Sequence, residues 1–401
     1  MKAEDRGEHI RLMEPLLVSD SSPSRVELAD LALELTLKST ALRKSLPEGI
    51  VRALSNLVRA MNCYYSNLIE GHDTHPIEIE RALNEDYSSD AKKRDLQLEA
   101  KAHIEVQKWI DGGGLKGRAT TADGILETHK RFCELLPEEL CWVESPSGDT
   151  RERLVAGELR QRDVMVGQHI AVSPAALPRF MARFEKAYKT LGRVDAITSA
   201  AFAHHRLLWM HPFLDGNGRV ARLMSYSMLV DALDTGGIWS VARGLARNET
   251  EYKRLLAQCD LKRQSERDGR GNLSEAALAK FAAFFLQTCI DQVYFMETLV
   301  RPQELRSRIL VWAEEEIRAE RLPPKSGVVL EAILFRGELA RGEVADLLVT
   351  GDRNARRVTS VLLEKGVLSS ESTRAPLLLS FPASLAGRWM PGLFPDKEFL
   401  L

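Results

Sequence analysis

The chain has 401 residues, 44% of them hydrophobic and 28% charged, with a formal net charge of −2. This is the composition of a folded chain, and its near-neutral balance excludes a protein that is basic overall for nucleic acid. The first ten residues, MKAEDRGEHI, lack the apolar run of an export signal, and the most apolar stretch, 281–290, is too short to cross a bilayer. The five cysteines (Cys63, Cys133, Cys141, Cys259 and Cys289) make no CxxC pair, so reduced thiols in a cytoplasmic protein without a zinc site are expected. The length leaves room for two or three domains.

Helical periodicity dominates the chain. Leu and Ala at three- and four-residue spacing predict a helix over 26–44. A second, over 51–70, runs through Leu54, Leu57, Val58, Met61, Tyr65, Leu68 and Ile69, with Gly71 as its stop. Two more are expected over 96–110 and 121–136. From 137 to 174 Gly, Pro and Ser punctuate short β-like runs, and 163–166 and 169–172, separated by Gly167-Gln168, predict a small hairpin. Helices resume over 178–191, 196–210, 218–233, 249–262 and 273–301, with the charged, Gly-rich stretch 262–272 as a loop. A further helix ends near Glu320, and Pro323-Pro324 marks a boundary. Beyond it, helical runs over 327–334, 342–349 and 352–364 precede β-like runs over 367–370 and 376–381, the layout of a winged helix-turn-helix.

Residues 211–222, HPFLDGNGRVAR, carry the chemistry. Pro212 disfavours helical backbone at His211, which places that histidine at a helix-to-loop junction. Asp215, Gly216, Asn217 and Gly218 form a turn that a new helix follows, and its N-terminus is a ready site for an anion. Arg219 and Arg222, three apart, share one side of that helix. Two cations at a helix N-terminus make sense if an anion sits between them, and a polyphosphate suits the site. Asp215 beside it points to a bridging Mg²⁺. His211 is the nearby side chain able to take a proton near neutral pH. A calcium loop is excluded, because Arg219 falls where a polar ligand is needed and no Glu closes the loop.

The segment resembles the motif of the Fic family, HxFx(D/E)GN(G/K)RxxR, at every defined position. The resemblance implies a mainly α protein: a Fic-type helical core with a small β-hairpin flap, here followed by the C-terminal winged helix-turn-helix. It implies an ATP-using transferase that places AMP on a Ser, Thr or Tyr hydroxyl of a protein. On that basis His211 is the general base and Asp215 holds Mg²⁺. Gly216, Asn217 and Gly218 line the anion hole, with Val220 and Ala221 completing the nucleotide-contacting stretch. Arg219 neutralises phosphate, and Arg222 grips the γ-phosphate. The flap tip, Val166, Gly167, Gln168 and His169, lies over the nucleotide. Tyr252 falls at an adenine-contacting position, while Asp260 stands where relatives often carry Asn.

Residues 66–71, SNLIEG, resemble the family's inhibitory motif, (S/T)xxxE(G/N). Ser66 and Glu70 are four apart and share a helix face, and Gly71 follows. An acidic side chain in the last turn of a helix seeks a cation, and the resemblance supplies Arg222. The resting enzyme is then expected to be off. The expected division is an inhibitory N-terminal region (1–95), a catalytic core (96–301), a connecting helix (302–322) and a winged-helix unit (323–401). From Lys325 onward there are ten basic and nine acidic residues, so docking of protein, or a homodimer, is preferred to DNA for this unit. The alternatives are a nucleotide-sensing transcription regulator, or a related enzyme that uses another donor or removes AMP.

Overall fold

The computed structural model describes residues 4–144, 151–233 and 235–395. Their helices and strands, in chain order, are α1 (Ser24–Lys44), α2 (Glu48–Ile69), α3 (Pro76–Leu83), α4 (Ala91–Asp111), α5 (Ala122–Cys133), β1 (Trp142–Glu144), β2 (Arg151–Arg153), β3 (Met165–Val166), β4 (His169–Ile170), α6 (Leu177–Tyr188), α7 (Arg193–Met210) and α8 (Asn217–Leu233). They continue as α9 (Ala242–Arg247), α10 (Glu249–Cys259), α11 (Glu275–Val300), α12 (Pro302–Arg318), α13 (Ser326–Arg336), β5 (Glu338–Leu339), α14 (Val344–Leu347), α15 (Asp352–Glu364), β6 (Leu368–Ser369), β7 (Leu377–Leu379) and α16 (Ala383–Trp389). The fold is mainly α. Its three small sheets are the hairpins β1–β2 and β3–β4 and a three-stranded sheet in the order β5–β7–β6.

Local chemistry starts several helices where the sequence places the right side chain. Asp90 caps α4 by accepting from the Lys93 N–H at 2.9 Å, Thr121 caps α5 through the Gly124 N–H at 3.0 Å, and Ser274 caps α11 through the Ala277 N–H at 3.0 Å. Pro76 opens α3, where its missing N–H costs nothing. Burial then sets the arrangement. α7 and α8 pack against each other at the centre, α1 lies along α11, and α2 crosses α4 and α9. The helices stop earlier than their patterns suggest where a polar end frays: the helix expected over 121–136 ends at Cys133, and that over 249–262 ends at Cys259. α3, α9, α16 and the β1–β2 hairpin are too short to carry a readable period.

The stretch 342–349 differs most from expectation. It is a 3₁₀ turn, Arg341–Glu343, followed by the single-turn helix α14. One apolar cluster runs from Met13 to Phe394 through both parts of the chain. The C-terminal part sits on α2 at both of its ends. Near the start of α2, the backbone of Gly49 abuts that of Gly337 so closely that a Cβ would lie 2.0 Å from the Gly337 oxygen. Near its end, the Tyr65 hydroxyl donates to the Leu393 carbonyl at 3.0 Å, and Tyr64 meets Phe394 edge to face. The outermost residues of the first and last expected units, 1–3 and 396–401, lie outside the described residues. All five cysteines are free thiols, and among the described residues no helix is long and apolar enough to cross a membrane.

Candidate active site

The loop between α7 and α8 carries the motif. α7 ends at Met210, and His211 takes the left-handed conformation at its C-cap, with φ of +49°. A non-glycine residue in that conformation costs about 1–2 kcal/mol, so neighbouring groups must hold it. The backbone N–H of His211 donates to Leu207 O at 3.0 Å, and its Nδ1 faces Leu208 O at 3.4 Å. Burial pushes the imidazole pKa down to about 4; the Leu208 contact and Asp215 oppose this, and the charge of Arg160 adds to it. His211 is therefore neutral at neutral pH. The Nδ1 contact assigns the proton there and leaves the Nε2 lone pair free to accept one.

The turn after His211 is built by Asn217. Its Oδ1 accepts from the Phe213 N–H at 3.0 Å, and its Nδ2 donates to Phe213 O at 2.9 Å. Its side chain thus shapes the loop, and only its backbone is free to meet an anion. His129 stacks flat on Phe213, with centroids 3.8 Å apart, and its Nδ1 accepts from the Gly157 N–H at 3.0 Å. Gly216, at φ +80°, makes the bend. Asp215 is exposed at the tip of this turn. The described residues hold no cluster of three or more His, Cys, Asp or Glu able to hold a metal.

The two motif arginines point inward, and each holds a carboxylate. Arg222, 4% exposed, donates from Nε to Ser66 Oγ at 2.9 Å and from Nη2 to Ser66 O at 3.1 Å and to Glu70 Oε1. Glu70 is the C-cap of α2, one residue beyond its last turn, and Gly71 follows at φ +85°. Arg222 thus also neutralises the negative end of that helix. Burial raises the Glu70 carboxyl, but the charges of Arg222 and Arg219 outweigh it and hold the pKa below the ordinary carboxylate value. The carboxylate rests on Gly218: a Cβ added there would lie 2.3 Å from Glu70 Oε1. Arg219 donates to Glu99, which is 2% exposed, and its Nη2 lies 3.2 Å from His72 Nδ1. His72 also meets Glu99 at 2.7 Å, and that hydrogen bond, chiefly, raises its pKa.

Other expected site residues fall elsewhere. Val220 and Ala221 are buried in the core, and the Val220 N–H is taken by Gly216 O at 3.0 Å. Tyr252 is 2% exposed; its hydroxyl bonds His204 Nε2 at 2.7 Å and its ring packs on Phe281. It lies beneath the site, not on an open wall. Asp260 bonds His205 Nε2 at 2.9 Å. The flap hairpin forms with Val166 paired to His169 and Met165 to Ile170 across Gly167-Gln168. His169 is anchored, its Nε2 2.8 Å from Trp209 O, whereas Met165 and Ile170 are 67% and 64% exposed on the hairpin's free surface.

Three groups of contacts escape the sequence. Arg160 is buried against the motif loop. Its Nε donates to His211 O at 2.7 Å, its backbone N–H to Pro212 O at 3.0 Å, and its Nη2 to Val172 O. The Glu99–His72 pair on Arg219 is the second. The third is the N-terminal segment: the Arg6 N–H donates to Ser173 Oγ at 3.1 Å, and Glu8 accepts from the Ser173 N–H at 2.8 Å. Burial works against the Glu8 charge, but hydrogen bonds from the Ser173 hydroxyl and N–H and from the Arg6 side chain outweigh it and bring its pKa to about 2.

A family model described as Fic/DOC family matches residues 119–229, the stretch that contains the flap, α7, the motif loop and most of α8. Residues 119–229 are thus similar to the Fic/DOC family. The protein adenylyltransferase Fic of Drosophila persimilis is 29% identical over 196 residues, 48% of this chain and 34% of that protein. The protein of the same name from Drosophila erecta is 30% identical over 171 residues, 42% and 32% of the two chains. The similarity thus spans about a third of the length of these curated relatives. A Fic family protein from Desulfovibrio desulfuricans G20 shares the fold, with a TM-score of 0.53 at 17% identity over 91% of this chain and 98% of that one. Within the matched stretch the expected base, anion turn and arginines come together, and the end of α2 reaches into them.

Proposed function

We propose that this chain is an autoinhibited protein adenylyltransferase that moves AMP from ATP to a Ser, Thr or Tyr hydroxyl of a protein. The observation that carries the reading is the Glu70 carboxylate, which rests on Gly218 while bonded to Arg222. A carboxylate on the first turn of a helix, beside a buried arginine, marks a place built for an anion. The phosphates of ATP suit the same groups. The curated relatives are named adenylyltransferases, which favours AMP over other transferred groups. A neutral, available His211 favours an enzyme over a nucleotide sensor.

In the transfer, His211 Nε2 accepts the proton of the target hydroxyl. The hydroxyl oxygen bonds to the α-phosphorus as the bond from that phosphorus to the bridging oxygen breaks, and pyrophosphate leaves. The backbone N–H groups of the Gly216–Asn217–Gly218 turn face the developing charge, and Arg219 and Arg222 hold the outer phosphates. Asp215 is the residue that would hold Mg²⁺, which takes one or two protein carboxylates and otherwise phosphate and water oxygens; when bound, the ion neutralises phosphate charge. The hairpin β3–β4 offers an unpaired edge and the exposed Met165 and Ile170, which suit a target segment added as a strand. Glu70 must leave Arg222 before the terminal phosphate can bind, which makes the resting state inactive.

The C-terminal part runs in the order α13, β5, α14, α15, β6 and β7, which supports a winged-helix reading. We read it as a docking unit for protein, including a second copy of the chain, within a cytoplasmic enzyme. The test of the whole reading is labelling from α-phosphate-labelled ATP with wild type, Glu70→Gly and His211→Ala. Strong labelling by Glu70→Gly that is lost in the Glu70→Gly, His211→Ala double variant supports it. Equal labelling by wild type and Glu70→Gly overturns the brake, and labelling that survives His211→Ala overturns the base. A panel of other nucleotide donors read by intact mass separates AMP transfer from its alternatives.

A further inference from the structure

Arg160 lies in the loop between β2 and β3, 3% exposed. Its Nε donates to His211 O at 2.7 Å, and its Nη2 lies 3.4 Å from Met210 O. Its backbone N–H donates to Pro212 O at 3.0 Å. One residue therefore covers three consecutive carbonyls, at 210, 211 and 212, where α7 ends and the motif loop begins. The last carbonyls of a helix have no partner within it, and a cation there also meets the negative end of the helix. The same guanidinium reaches the flap. Its Nη1 donates to Arg162 O at 2.8 Å, three residues before β3, and its Nη2 to Val172 O, two residues after β4. Both roots of the hairpin and the catalytic loop thus meet on one planar fork.

The fork is not replaceable by a charge alone. Four bonds leave from Nε, Nη1 and Nη2 in fixed directions, a geometry that the single ammonium of lysine cannot copy. Among the described residues no carboxylate lies within ion-pair distance of Arg160; Asp163 and Glu8, whose charges act on it, are engaged by Arg6. Burial lowers its pKa to about 10, so it keeps its charge at neutral pH. A buried guanidinium satisfied by carbonyls alone is costly unless all those carbonyls are held in register. His211 needs such holding, since its backbone is in the left-handed region.

We propose that Arg160 is a positioning residue that locks the flap and the catalytic loop into one frame, so that a strand docked on β3–β4 brings its hydroxyl to His211 Nε2. The inference rests on His211 being the base and on the hairpin being the docking edge. Without Arg160 the hairpin and the loop each persist but lose their fixed relation. ATP contacts, made by the turn, Arg219 and Arg222, are then little changed.

The test uses the full chain with Glu70→Gly, comparing Arg160→Lys and Arg160→Gln in steady-state AMP transfer, with thermal unfolding as a control. The expected result is a fall in kcat of about 10- to 100-fold in both variants, the scale of misplacing a reacting group, with the KM for ATP within about twofold. The acid limb of the kcat profile should also move to higher pH, because a cation that disfavours protonated His211 has been removed or shifted. Wild-type kcat in either folded variant overturns the inference. So does a loss that appears equally in the KM for ATP, and so does failure of both variants to fold, since the arginine then serves the fold and not the site. The Glu70→Gly, His211→Ala protein separates the two levels of the argument. If it is inactive while the Arg160 variants are fully active, the base stands and only this inference fails; if it is active, the underlying reading fails first.

Discussion

Two helices of this protein carry clustered arginines, and their surroundings are opposite. On α8, Arg219 and Arg222 are buried, and each is bonded to a carboxylate brought from another helix, Glu99 of α4 and Glu70 at the end of α2. On α15, Arg353, Arg356 and Arg357 are exposed, and among the described residues none of them makes an ion pair. The difference teaches where charge is functional. A buried cation must have an anion, and whichever anion is present decides the state of the site. An exposed one is satisfied by water and commits the protein to nothing. Acids around α15 are also engaged elsewhere: Glu343 pairs with Arg336 and Glu371 with Arg52. The pair on α8 is therefore where activity should be switched.

The predictions that break or sharpen this contrast run from large to small. Removing the base is the largest. In the Glu70→Gly background, His211→Ala should lower AMP transfer by roughly 10²- to 10⁴-fold, the usual contribution of a positioned base, read as incorporated label. Next, Glu70→Gly alone should raise transfer by roughly 10- to 100-fold, within the range of coupling energies between sites. Ser66→Ala removes one acceptor from Arg222 and leaves Glu70 in place. It should raise transfer by about fivefold, equivalent to about 1 kcal/mol. Smallest, replacing Arg353, Arg356 and Arg357 together by Ala should leave transfer unchanged and shift unfolding free energy by less than about 0.5 kcal/mol each. A large loss of transfer in that variant would make α15 part of the catalytic apparatus and erase the contrast.

The pH dependence has a definite sign. His211 acts as a base in its neutral form, and burial has lowered its pKa from 6.5 to about 4. Transfer by Glu70→Gly should stay level from neutral pH downward and fall only as pH approaches about 4. A midpoint near 6.5 would mean that His211 is solvated. The proposed brake does not lift above pH 4.5. The Glu70 pKa lies below its ordinary 4.5, so the stability from its pairing with Arg222 is fully present above 4.5 and is lost only as pH falls through the lowered value.

How much of this could be read beforehand depended on sequence distance. The motif at 211–222 was legible because its chemistry is local: Pro212 ends one helix, Asn217 builds the turn through Phe213 four residues away, and both arginines fall on one face. The contact of Ser66 and Glu70 with Arg222 was legible because the two lie one turn apart, although Glu70 proved to be the C-cap and not a member of the last turn. The contacts that escaped join distant positions. Arg160 meets carbonyls 50 residues on, and Glu99 meets Arg219 across 120 residues. Nothing in their flanking sequence marks them, since an isolated Arg or Glu reads as surface. The burial of Tyr252, Val220 and Ala221 escaped for the converse reason. Alignment with a motif gives a position along a helix but not which face is buried. The C-terminal order was readable from its periods, but its seating on α2 was not, because the apolar residues that cover α2 look the same as those of an independent core.

The proposed brake is the bond of Glu70 to Arg222, which must open before AMP transfer. The most direct measurement is intact mass spectrometry of the wild-type and Glu70→Gly chains after incubation with ATP and Mg²⁺. An AMP adduct on Glu70→Gly, with little or none on wild type, is the predicted result. No adduct on either chain or on added protein targets, or the same adduct on both, would contradict it.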